Sequence, residues 1–135
     1  MKIIPGLFAA GLIAVAVEMT LTMSTVSAHH SFSAFTMTSE KTITGTVKQV
    51  DWTNPHTWIW VNVTNGQGTV ETFGFEGMSP NYLARRGWSK STLKPGDKIN
   101  VTFRPMRDGS NGGMFMTAKR PTGEVLTMTG LPIDQ

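Results

Sequence analysis

The chain has 135 residues, with 12 lysines and arginines against 9 aspartates and glutamates, a net charge of +3, and no cysteine. That length holds one small domain once a leader is set aside. The missing cysteine excludes disulfides, thiolate zinc sites and cysteine nucleophiles, and the mild positive excess suits solubility rather than nucleic-acid binding.

Met1-Lys2, an apolar run from Ile3 to Val17 and the small-residue exit Val26-Ser27-Ala28 read as a secretory signal peptide over residues 1–28. The run is too short for a comfortable membrane span. Cleavage after Ala28 predicts a periplasmic or secreted protein that begins at His29 and has no stable membrane insertion. Loss of Lys2 and Glu18 leaves the net charge as it was. Residues 29–40 form a polar lead-in that Phe32 and Phe35 can pin to the body.

A β domain is predicted over residues 41–130. Thr42 to Trp52 is rich in β-branched residues; Ile43, Gly45 and Val47 share one face, whereas Val50 and Trp52 continue on the other. A slip of this kind predicts a bulge, and Gly45 permits a bend. Asn54-Pro55 makes a turn. From His56 to Val63 the chain alternates, with Thr57, Ile59, Val61 and Val63 on one side and His56, Trp58, Trp60 and Asn62 on the other. One face reads as core and the other as a row of one imidazole and two indoles. Asn65 to Gly68 is a hairpin loop into a third strand, Thr69 to Glu76, with Phe73 and Phe75 on one side.

Ser79 and Pro80 then suit the cap and first position of a short helix that Gly87 ends, with Trp88 folding back on it. Arg85 and Arg86 read as a solvated helix end. Lys94-Pro95-Gly96-Asp97 turns into a fourth strand, Lys98 to Phe103. After a loop over Arg107 to Gly113 come a fifth strand, Met114 to Lys119, and a shorter sixth piece, Glu124 to Thr129, followed by a tail over 131–135. Five to six strands with one helix between the third and fourth is the order of an OB-like β-barrel; an SH3-like barrel or an open sandwich would use the same strands, and the placed helix and bulged first strand favour the OB order.

The segments His29-His30-Ser31-Phe32, Trp52-Thr53-Asn54-Pro55-His56, Ser79-Pro80-Asn81, Arg85-Arg86-Gly87-Trp88, Leu93-Lys94-Pro95-Gly96-Asp97 and Asp108-Gly109-Ser110-Asn111 together resemble a family of small exported bacterial proteins, the domain-of-unknown-function family 6152. The resemblance implies an exported β-barrel and supplies no activity. Where that family carries an acidic pair after the leading histidines, this chain has Ala34-Phe35-Thr36-Met37, so no carboxylate ligand is implied there. A looser similarity is to periplasmic OB-barrel copper and silver chaperones of the Cus type, whose sites combine a histidine, a tryptophan and a Met-x-Met pair. His56, Trp58 and Met114-Phe115-Met116 are the same residue kinds.

All three histidines fall at two places, His29-His30 and His56. A free N-terminal histidine offers its amine and imidazole to one ion, and a further imidazole completes a nitrogen set suited to Cu(II). Such binding displaces protons from groups that ordinarily titrate near ~6.5 and ~8, so affinity should fall with pH. A copper site of His29, His30 and His56 is therefore expected. The plainer reading makes His29-His30 a polar, disordered start and His56 a turn residue bonded to backbone. Met114 and Met116, two apart on one strand, are a secondary option through thioether coordination of Cu(I), although methionine is more often core filler.

Trp52, Trp58 and Trp60 are candidate ligand-binding residues for a glycan or a periplasmic protein partner, since OB barrels bind ligands on the face of their second and third strands. Cover of Trp60 by Phe32, Phe35 or the lead-in is the competing arrangement. No G-x-S-x-G turn, paired carboxylates or phosphate loop stands out, and Asp51 near His56 could be a base and its orienter, although adjacency across one turn is a common accident. A non-catalytic protein binding a metal ion or small ligand is expected.

Overall fold

The computed structural model describes residues 32–128. The signal-peptide reading, His29 and His30, and the tail lie outside the described residues. A 3-10 turn at Phe32–Ala34 leads into β1 (Lys41–Asp51), β2 (Trp58–Thr64), β3 (Val70–Glu76), α1 (Pro80–Ala84), β4 (Lys98–Pro105), β5 (Gly112–Lys119) and β6 (Val125–Thr127).

Antiparallel pairing joins β3 to β2, β2 to β1, β1 to β4 and β4 to β5. The ring is closed by a short parallel pairing of β3 with β5, in which Gly74, Phe75 and Glu76 face Gly112, Gly113 and Met114. A five-stranded barrel results, with α1 between β3 and β4 as in the OB arrangement. The sixth strand does not close the ring; it pairs outside it, against β5.

The alternation of the second strand holds where it was read. Thr57, Ile59 and Val61 are all but inaccessible, and with Val47, Phe75, Val101, Phe103 and Phe115 they fill the barrel. The strand starts later than expected, at Trp58, so His56 belongs to the turn ahead of it. The reason is backbone pairing: Thr57 N–H donates to the Met78 carbonyl and Gly77 N–H to the Thr57 carbonyl, a bridge to the chain beyond β3 rather than a ladder with β1.

The slip expected in the first strand is a bulge at Lys48, since Val47 pairs with Val61 and Gln49 with Trp60. At Gly45 a methyl would lie 2.6 Å from the Asn62 carbonyl oxygen, so the absent side chain lets β1 press onto β2. A second bulge, unforeseen, sits in β5: Phe103 pairs with Phe115 and Thr102 with Thr117, leaving Met116 as the extra residue. Bulges re-aim side chains. Here Phe115 points into the core while Met114 and Met116 stay half-buried outside it.

The helix is capped as expected. Ser79 Oγ accepts from Tyr82 N–H at 3.3 Å, Pro80 begins the helix, and Gly87 adopts a φ of 88°. Trp88 N–H returns to the Leu83 carbonyl, and its indole is buried edge-on to Phe115 with Nε1 donating to the Thr127 carbonyl at 2.9 Å. Arg86 is not simply solvated: its guanidinium lies 3.5 Å above the Tyr82 ring.

Candidate functional site

At one end of the barrel a cavity of about 470 Å³ opens between the lead-in, the start of β2 and the ends of β3 and β6. His56, Glu76, Gly77 and Met78 form one side. Arg104 of β4 with Met114, Phe115 and Met116 of β5 form another, and Phe32, Phe35, Met37 and Met128 complete the lining.

His56 is held from behind. Its Nδ1 lies 2.9 Å from the Gly77 carbonyl oxygen and 3.2 Å from Oε1 of Glu76, whose side chain is about 11% exposed. A carbonyl only accepts, so the imidazole proton resides on Nδ1 and the acceptor electron pair of the neutral ring on Nε2. Metal-bound histidines are oriented in this way, by a carbonyl or carboxylate behind the ring. Asp51, the carboxylate near His56 in sequence, is not the group behind the ring. Asp51 instead accepts from Trp60 Nε1 at 2.7 Å and from Gln49, and Glu76 takes the place behind His56.

Phe35 anchors the lead-in to the barrel as expected. It is buried and bridges to Met106, while Thr36 N–H donates to the Pro105 carbonyl and Arg107 Nε to the Phe35 carbonyl. This tether brings Met37 to the cavity wall, where its sulfur lies 3.8 Å from Nη1 of Arg104. Arg104 Nε lies 3.6 Å from Glu40 Oε1.

The tryptophans stand apart from this cavity. Trp58 and Trp60 stack on each other, with ring centroids 5.6 Å apart and planes 17° apart. Trp60 is half-buried because it lies across Gly74, where an added methyl would meet its ring at 2.5 Å. Phe32 and Phe35, offered as its cover, line the cavity instead. Trp52 packs against the core.

Among the described residues no three His, Cys, Asp or Glu side chains gather as a metal set. Of the predicted site residues the structure brings His56, Met114 and Met116 to one cavity, and leaves Trp52, Trp58 and Trp60 outside its lining. Met37, Met78, Met128, Glu76 and Arg104 were missed. Each stands alone in its own stretch, and residue type was the only signal that could have found the methionines.

Fold and cavity define a small OB-type barrel with a methionine-lined cup. The chain belongs to DUF6152, a family of unknown function whose profile matches residues 17–116. No curated protein and no solved structure matches it.

Proposed function

We propose that this chain is an exported, non-catalytic binding protein whose cup takes copper, with His56, Met114 and Met116 among the ligands. The observation that carries the reading is the convergence of the buttressed His56 with the Met-x-Met pair on one cavity. An imidazole and thioethers are donors that copper accepts. His29 and His30 extend the proposal: they precede Phe32, on the cavity lining, by so few residues that an extended chain carries them no more than about 10 Å from it. A mature chain beginning at His29 would add its amine and imidazoles to the same ion, and a periplasmic protein could receive or supply the metal.

Copper titration followed by tryptophan fluorescence, with intact mass of the exported protein, tests this. Binding weakens in His56→Ala and in the double variant Met114→Leu, Met116→Leu, and the mass places His29 first. Unchanged titration in both variants removes the site.

A second reading is favoured by the stacked, half-exposed indoles of Trp58 and Trp60, an apolar platform suited to a sugar ring or a partner protein. Fluorescence quenching by soluble glycans, abolished in Trp58→Ala and indifferent to His56→Ala, would support it.

A further inference from the structure

Five of the six methionines in the described residues line the cup, and they arrive from four separate parts of the fold: Met37 from the lead-in, Met78 from the link before α1, Met114 and Met116 from β5, and Met128 from beyond β6. Methionine commonly fills gaps in a core. These do not behave as filler, because only Met128 belongs to the buried core, while Met37, Met114 and Met116 are half-buried and Met78 is 40% exposed. The five residues line one open cavity.

We propose that the cup is a thioether cage for a soft monovalent cation, Cu(I) or Ag(I), with Met37, Met78, Met114, Met116 and Met128 supplying sulfur and His56 nitrogen. The inference rests on the copper reading above and deepens it by assigning the oxidation state and three further ligands.

Donor chemistry carries the choice of ion. Thioethers favour Cu(I), whereas divalent ions seek nitrogen and oxygen sets. Among the described residues the cup offers one imidazole and one carboxylate, and those two face each other. Arg104 and Glu76 bring one charge of each sign to the lining, and Glu40 lies 3.6 Å from Arg104, so the lining has no excess of negative charge to favour a dication and the thioethers decide.

Volume bears on the loading step. A cavity of about 470 Å³ is far larger than one ion, so the sulfurs must fold inward on binding. Unbranched methionine with three rotatable bonds can do this, and Met78, 40% exposed, is the most accessible of the five. An ion takes fewer donors than the cage holds, and the surplus lets it pass between sulfurs.

Anaerobic titration of the purified protein with Ag(I) and with Cu(I), followed by NMR of methyl-labelled methionine, tests the cage. The methyl signals of the five move, while that of Met106, which lines a separate cavity, stays in place. Zn(II) leaves all of them unmoved. Met114→Leu with Met116→Leu preserves volume and fold, and should weaken silver at least about tenfold, as loss of even an outer partner of a metal site does. Copper bound with the Met114 and Met116 methyls moved, but those of Met37, Met78 and Met128 in place, overturns the cage and leaves the copper reading standing. Failure to bind copper in either oxidation state overturns both.

Discussion

Gly112 meets Gly74 across the closing seam of the barrel, so closely that a methyl on Gly112 would lie 2.0 Å from the Gly74 carbonyl oxygen. Gly112 also holds a φ of 135°, a conformation that L side chains rarely adopt. The parallel contact of β3 and β5 thus depends on a bare backbone, and Met114, two residues on, takes its place in the cup from it. Gly112→Ala should lower stability by at least about 1–3 kcal/mol, combining overpacking with backbone strain. Gly66→Ala is the control: nothing lies within 4 Å of its added methyl, so it should stay within about 0.5 kcal/mol of the parent. Urea midpoints at constant m-value decide between them.

The bond from Trp60 Nε1 to Asp51 ties the second strand to the end of the first. Asp51→Ala leaves a half-buried indole N–H without its acceptor and should cost about 1 kcal/mol. The indole emission should shift as well, since the N–H loses a charged neighbour. A thermal midpoint and emission spectrum equal to the parent's would show that the bond contributes nothing.

Glu76 stands behind His56 as outer partners stand behind metal-bound imidazoles. Glu76→Gln keeps size and hydrogen bonding while removing the charge, and should weaken copper about tenfold or more without changing the number of ions bound. Calorimetric titration of parent and variant at one pH decides this, and equal affinities would show that the carboxylate plays no part behind the ring.

In the loop after β4 the Asp108 carboxyl is held below its ordinary value of 3.8, first by the Ser110 hydroxyl and then by the Ser110 backbone N–H, both of which donate to it. The charged form is the one these bonds favour. Their contribution is therefore present above the ordinary carboxylate range and lost as pH falls through the lowered value. Ser110→Ala should return the Asp108 carboxyl toward 3.8 in an NMR titration, while the global unfolding midpoint stays near the parent's because the group is fully exposed. An unmoved carboxyl would show that the hydroxyl is not the main cause.

Sequence by itself decided which side of the second strand is core. Thr57, Ile59 and Val61 went inward because side chains repeat every second residue, and the shift of parity after Val47 announced a bulge because no regular strand can carry it. Ser79, Pro80 and Gly87 marked the helix ends, since cap chemistry is local. Tertiary structure decided which side chains meet. Asp51 and His56, five apart in the chain, do not pair, whereas His56 and Glu76, twenty apart, do. Beyond the Met114-Met116 pair, the methionines of the cup share no period and no motif. They meet because the pairing of β3 with β5 bends the sheet into a ring, and closure of that kind is a property of distant backbone contacts that no window of local pattern contains.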